Sequence, residues 1–255
     1  MAGYSRVATV GLVHLLAGAL ALAAVIAIFF VAPTEKTMGP VQKILYLHAA
    51  VAWFALGACL LMGVAALGYL ATRRPAWDHW SCAAAETGWL AATLTLITGS
   101  LWAHAAWNTW WTWDPRLTTV FLLWALYSAG LLIRQTVPDA ERAARLSAVL
   151  ALVALVDLPL IFLATRWFRG MHPVAPAMPP VMRAVLGLAA AGFGMVFLLL
   201  LVERRAQLAA AHRLDRLEWE TSDGEPDRGL CRSLGRNRVV CGAPGGAPTP
   251  APAAH

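Results

Sequence analysis

The sequence predicts an all-α, polytopic membrane protein with six transmembrane helices and a tryptophan-rich loop at the outer face. Of the 255 residues, 59% are hydrophobic and only 13% are charged, whereas a soluble domain carries about 25% charged residues. A helix of about 20 apolar residues crosses a bilayer. Six runs meet or approach that length: residues 7–32, 44–71, 83–101, 117–133, 146–165 and 181–202.

The two ends of the chain are predicted to differ in character. The first run is longer than a signal-peptide core and has no small-residue cleavage site, so we predict a spanning helix there. We therefore divide the chain into a six-helix membrane domain (1–205), a cytoplasmic helical extension (206–220) and a tail (221–255). The tail is rich in Gly, Pro and Ala, and such a composition predicts disorder.

Basic residues are distributed unevenly between the two sides of the predicted membrane domain. Cytoplasmic segments carry an excess of Lys and Arg. The richer side holds Arg6, Arg73, Arg74, Arg134, Arg142, Arg145, Arg204 and Arg205, followed by Arg213 and Arg216; the other side holds Lys36, Lys43, Arg116, Arg166, Arg169 and Arg183. Both termini are therefore predicted to be cytoplasmic. The charges lie between apolar runs and form no basic patch, so the net charge of +6 does not indicate nucleic-acid binding.

The segment 101–119 holds five of the 12 tryptophans. These are Trp102, Trp107, Trp110, Trp111 and Trp113, and they are followed by Asp114, Pro115 and Arg116. Tryptophan favours the membrane–water boundary, which supports an aromatic belt that anchors helix ends. Five rings in one connecting loop also form a platform for a flat apolar ligand. Residue types alone leave both interpretations open.

Two of the seven histidines are predicted to flank this loop. His48 lies about one turn inside the second helix, and His172 follows the fifth helix. A single histidine near a membrane surface is usually structural, but two that converge on one aromatic loop are candidate axial ligands of haem iron. His104 lies within the loop itself. Candidate partners for haem propionates are Arg116, Arg166 and Arg169, although interfacial snorkelling explains each of them equally well.

Other groups suggest different chemistry less clearly. The four cysteines form neither CxxC nor CxxCH, so no dithiol, zinc or covalent haem site is indicated. Glu86 and Asp157 fall inside apolar runs, where acids usually have a partner. For Asp157 we prefer a contact between helices, and an ion path stays open as the alternative.

The motifs resemble those of a known family. The stretch GSLWAHAAWNTWWTWDPRLTT resembles the tryptophan-rich "WWD" signature of haem-handling proteins in cytochrome c maturation. ETGWL, the YLHAAVAW context of His48 and the RWFRGMH context of His172 narrow this resemblance to the haem exporter protein C family, CcmC. It covers about residues 44–202. Ala103 and Asn108 stand where the family usually has glycines, and Pro173 stands where it has a polar residue.

The resemblance implies a haem-binding and transfer component rather than a turnover enzyme. Haem b would be held at the periplasmic face of a bacterial inner membrane, with His48 and His172 as axial ligands and the Trp-rich loop, Asp114 and Arg116 around the porphyrin. The haem would pass to the chaperone CcmE, and CcmA, CcmB and CcmD would act with the protein in an ABC-type complex.

Two other functions are compatible with the composition. A b-type cytochrome or quinone oxidoreductase subunit would need histidine pairs inside the bundle, and His14 is the clear candidate on the inner side, without an obvious partner. A permease subunit with an aromatic belt would hold no cofactor. A visible spectrum of the purified protein separates this last function from the first two.

Overall fold

A computed structural model describes residues 2–36, 38–168, 170, 172 and 178–222, and these residues form six long helices without a β-strand. The helices are α1 (Ala2–Ile26), α2 (Ile44–Thr72), α3 (Pro75–Trp107), α4 (Pro115–Thr136), α5 (Ala140–Trp167) and α6 (Pro180–Ser222). A π-helical turn, Ala27–Val31, continues α1, and a 3₁₀ turn, Pro40–Lys43, precedes α2. The all-α prediction is confirmed. Of the predicted tail, residues 223–255 lie outside the described residues.

Local signals set the helix boundaries. Asp114 caps α4 and Asp139 caps α5, each by accepting a backbone N–H of the first turn, which is the preferred role of aspartate at this position. Pro75 opens α3, where its missing N–H costs no hydrogen bond. Arg73 and Asn108 adopt left-handed conformations (φ 56° and 53°) just after α2 and α3, a common way to end a helix.

Four helices form a closed ring, and two lie beside it. Contacts link α2 with α3, α3 with α4, α4 with α5, and α5 back to α2. The remaining pair, α1 and α6, pack on each other, and α6 also packs on α2 and α3. We call the end where α2 begins and α3 stops the tryptophan end, and the other the opposite end.

Within the part of the chain that the structure describes, five helical segments are long and apolar enough to cross a membrane: Thr9–Val31, Pro40–Thr72, Pro115–Thr136, Ala140–Ala164 and Pro180–Trp219. The predicted run 83–101 lies within α3, which is more polar. Its polar groups bond within the bundle: Trp89 donates to Ser128 and Trp124 donates to Thr93, both at 2.9 Å. Internal satisfaction of this kind is what a lipid environment requires. The chain is a polytopic membrane protein.

A continuous apolar core fills the ring midway along its length. Leu123, Tyr127 and Ile161 are each 1% exposed and Cys59 is fully buried. The Tyr127 hydroxyl donates to the carbonyl of Ala55 at 2.9 Å, so the one polar atom of this large side chain is paired. The ring of helices is therefore closed beneath its tryptophan end.

The predicted intramembrane acids have different environments. Glu86 accepts hydrogen bonds from the Arg204 guanidinium of α6. Asp157 is 3% exposed and lies close to Cys59, yet neither carboxylate oxygen has a hydrogen-bond partner among the described residues. The preferred role of Asp157, a contact between helices, therefore stays a prediction that no hydrogen bond here supports.

Ionic contacts tie the helices together at the opposite end. Arg134 of α4 holds the Asp78 carboxylate of α3 with two hydrogen bonds, at 2.5 and 3.1 Å. The predicted extension 206–220 continues α6 without a break, and Leu208 is buried there against Cys82 and Ala83. Arg205 lies over the Trp80 ring, 5.2 Å from its centroid. This part of α6 is thus packed on the first turns of α3.

Candidate functional site

A cavity of about 250 Å³ occupies the tryptophan end of the four-helix ring. Its lining runs along α3 from Trp107 to Ala92, which is about 22 Å at the rise of an α-helix. Leu123 and Ile161 line it at depth, and both belong to the buried core. The lining is mostly apolar, so the cavity is a deep pocket for a hydrophobic ligand.

The tryptophans surround the mouth of this cavity, but the predicted loop is shorter than expected. Trp102 and Trp107 lie on the last turns of α3, and the connecting segment is only residues 108–114. Their rings meet edge to face, with centroids 5.0 Å apart. Both line the cavity, together with Trp110 and Trp111. Trp113 is 74% exposed and is not part of the lining.

Aromatic contacts hold these rings in place. His104 stacks on Trp110 with the centroids 4.0 Å apart and the planes 3° from parallel. Trp111 meets both Trp113 and Phe121 edge to face. Trp102 differs in one respect: its buried indole N–H has no hydrogen-bond partner among the described residues. The cavity wall therefore combines fixed aromatic surfaces with one indole donor that no described group satisfies.

The two predicted histidines meet at this cavity. His48, in the second turn of α2, and His172, beyond the end of α5, both line it. They are near enough for their charged forms to repel each other. Nδ1 of His48 lies 3.1 Å from the Thr98 hydroxyl oxygen of α3. Gly99 leaves room for the ring, because a Cβ built there would lie 3.0 Å from Cε1 of His48.

The acidic and basic candidates divide into cavity and structural positions. Arg116 lines the cavity and makes no ion pair with a described residue. The Asp114 carboxylate accepts the Arg116 backbone N–H at 2.8 Å and is covered by Gly170, where a Cβ would overlap it. Asp114 is thus placed as a cap rather than in the lining. Arg166 is exposed and outside the lining, and Arg169 lies outside the described residues.

Several lining residues were not selected from the sequence. Trp53 of α2 lines the cavity, and Thr98 contacts His48 without belonging to the lining. The spacing of Thr95, Gly99 and Ala103 does carry a signal, because residues four apart share one helix face. These three small residues make one face of α3 narrow, and all three line the cavity. Which partner that face meets depends on helix rotation, which hydropathy does not reveal.

The chain is similar in sequence to proteins of one known family. The family model described as "Heme exporter protein C" (CcmC) matches residues 4–220. The chain belongs to the haem exporter protein C family. The match to CcmC takes in α1 to α6 almost completely and stops before residues 221–255.

Individual CcmC proteins cover different shares of the chain. A Bradyrhizobium diazoefficiens protein named "Heme exporter protein C" is 38% identical over 147 residues, which is 58% of this chain and 56% of that protein. Proteins of the same name are 33% identical in Rhodobacter capsulatus, over 74% of this chain and 82% of theirs, and 35% identical in Paracoccus denitrificans, over 70% and 78%.

The donor set of the cavity fits a metalloporphyrin. Imidazole nitrogens ligate haem iron, aromatic rings cover porphyrin faces, and a guanidinium pairs with carboxylates. His48 and His172 supply the first, the indoles supply the second and Arg116 supplies the third. No group of three or more His, Cys, Asp or Glu suited to a bare metal ion is found within the described ranges. The cavity residues therefore supply the kinds of group that hold a metalloporphyrin.

Proposed function

We propose that this CcmC-family protein binds haem b in the cavity at the tryptophan end and delivers it during the biogenesis of c-type cytochromes. The names of its relatives support a haem-handling role in cytochrome c biogenesis. One structural observation carries the proposal further: His48 and His172, distant in sequence, line a single apolar cavity walled by indole rings.

The two imidazoles act as the axial ligands of the iron. A neutral imidazole is a standard haem ligand, and two of them give a six-coordinate, low-spin iron. Histidine bonds to iron without a covalent link to the porphyrin, so the haem stays removable. That property suits cargo that has to be passed on.

The remaining cavity groups orient the porphyrin. Trp102, Trp107, Trp110 and Trp111 contact its apolar surface, and Trp113 and Asp114 support the segment from outside the lining. The Arg116 guanidinium, which lines the cavity near the Asp114 carboxylate, holds a propionate. A charge-assisted hydrogen bond of this kind fixes one edge of an otherwise apolar ligand.

The cavity faces the periplasm, and both termini are cytoplasmic. The support is electrostatic: most arginines of the connecting segments lie at the opposite end of the bundle, as the positive-inside rule requires of a cytoplasmic face. Haem then passes to the chaperone CcmE, and CcmA, CcmB and CcmD act with the protein in the bacterial inner membrane. These partners rest on the family resemblance.

The alternative of a b-type cytochrome subunit requires a second histidine site at the opposite end. His14 is bonded there to Glu203 of α6 and to the carbonyl of Val10. His79 and His212 touch each other edge to face, with centroids 5.4 Å apart, which leaves no space for a porphyrin between them. The described residues thus do not favour electron transfer across the bilayer.

The visible spectrum of protein purified with haem tests the proposal. We expect a low-spin, six-coordinate spectrum for the natural sequence, its loss in His48→Ala or His172→Ala, and failure of the double variant to retain haem. His14→Ala is the matched control and keeps the natural spectrum. An unchanged spectrum in the double variant would refute axial ligation by this pair. Loading of CcmE in cells that carry the same variants tests the delivery step separately.

A further inference from the structure

The His48 imidazole is held from behind by a hydroxyl group of α3. Nδ1 of His48 lies 3.1 Å from Oγ1 of Thr98. The same oxygen lies 2.7 Å from the carbonyl oxygen of Leu94 and 3.3 Å from that of Thr95.

These contacts favour one of the two positions for the proton of the neutral His48 ring. A threonine hydroxyl has one hydrogen to donate, and Thr98 donates it to a backbone carbonyl because a carbonyl can only accept. With that hydrogen on a backbone carbonyl, the oxygen of Thr98 is left to accept from His48. In this arrangement Nδ1 of His48 is the N–H donor. The neutral ring consequently keeps its lone pair on Nε2, the nitrogen available to a metal.

We propose that Thr98 is a positioning residue for haem ligation, which fixes the tautomer and the orientation of His48 so that Nε2 is presented to the iron. The proposal rests on the proposed function, since it requires His48 to be a ligand. Metal-bound histidines generally donate their other N–H to a nearby acceptor, and losing that acceptor typically costs about 10–100-fold in metal affinity.

Other threonines of α3 show what is specific to Thr98. Thr87 and Thr95 also donate to the carbonyl four residues earlier, each at 2.8 Å, so this backbone bond alone is an ordinary feature of a helix. Thr98 makes the same bond, and its oxygen also lies 3.1 Å from an imidazole nitrogen. Thr87 is buried and outside the cavity lining, which makes it a matched control.

Haem titration of purified variants tests the inference. Thr98→Val keeps the shape of the side chain and removes the hydroxyl, and we expect haem affinity to fall about 10–100-fold with a weakened low-spin signature. Thr98→Ser keeps a hydroxyl and should retain the haem affinity and the low-spin spectrum of the natural sequence. Thr87→Val should leave the affinity and the spectrum unchanged. Thr98→Ala serves as a second hydroxyl-free variant if valine prevents folding. Wild-type affinity and spectrum in both hydroxyl-free variants would overturn the proposal.

The His48→Ala background separates positioning from general damage. If Thr98 acts through His48, Thr98→Val has no further effect on haem affinity once the imidazole is gone. An equal loss in both backgrounds would show that Thr98 only supports the fold, and the proposal would be wrong. If His48→Ala by itself leaves affinity unchanged, the axial role of His48 fails instead. The two ideas therefore fail in distinguishable ways.

Discussion

Replacing Gly99 by alanine should weaken haem binding while it strengthens the helix. The new Cβ would lie 3.0 Å from Cε1 and 3.5 Å from Nδ1 of His48, and ordinary contacts begin near 3.4 Å. The ring must therefore retreat by a few tenths of an ångström. A side chain forced off its rotamer costs about 0.5–1.5 kcal/mol, and about 1.4 kcal/mol is a tenfold change in affinity. We expect haem affinity to fall about 2- to 12-fold.

Stability should change little. Alanine is favoured over glycine in a helix by about 1 kcal/mol, which offsets a rotamer strain of about 0.5–1.5 kcal/mol, so the unfolding temperature of Gly99→Ala should stay close to that of the natural sequence. Gly57→Ala is the control, because it makes the same substitution in α2 with nothing within 4 Å of the new Cβ. It should gain stability without losing affinity. Haem titration and thermal unfolding in detergent measure both quantities, and equal haem affinity in Gly99→Ala and Gly57→Ala would refute the steric argument.

Three further predictions concern the bundle away from the cavity. Asp157→Val removes two buried carboxylate oxygens that have no described hydrogen-bond partner, so it should raise the free energy of unfolding by about 1–3 kcal/mol. A lower unfolding temperature in this variant would show that the carboxylate has a stabilising partner. Arg134→Ala leaves the Asp78 carboxylate buried without its guanidinium partner, which should lower the free energy of unfolding by about 3–5 kcal/mol, measured by denaturant unfolding. A decrease of less than about 1 kcal/mol would mean that solvent screens the pair. Burial, together with His212 and two nearby arginines, lowers the pKa of His79 although Asp78 opposes them. The unfolded chain therefore takes up this proton first, near pH 6.5, and stability is lost as pH falls below that value through the folded pKa; His79→Gln should lose part of this acid sensitivity, and an unchanged pH profile would contradict it.

Hydropathy predicted where helices exist better than where they end. The run 83–101 is only the apolar middle of α3, which extends from Pro75 to Trp107. Its ends carry Asp78, Trp102 and other polar or amphipathic side chains that other helices cover or pair. A hydropathy window scores each residue as if it faced lipid, so it assigns segments with such side chains to loops. For that reason two of the five tryptophans assigned to a loop belong to a helix.

The convergence of the site was predictable, whereas its supporting contacts were not. Alternating helix directions place the start of α2 and the end of α5 on one side, so His48 and His172 could be expected together. The pairing of His48 with Thr98 depends on how α2 and α3 rotate about their axes. The same holds for Arg134 and Asp78. Rotation is decided by the packing of small residues such as Gly99, and a list of apolar runs does not contain it.

The closed base of the four-helix ring limits how any ligand can travel. Leu123, Tyr127 and Ile161 belong to the buried apolar core at the base of the cavity. In the described part of the molecule, the cavity is therefore open at the tryptophan end and closed by the apolar core at its base. A ligand held in this cavity would therefore arrive and depart at the rim or between the helix flanks near the rim.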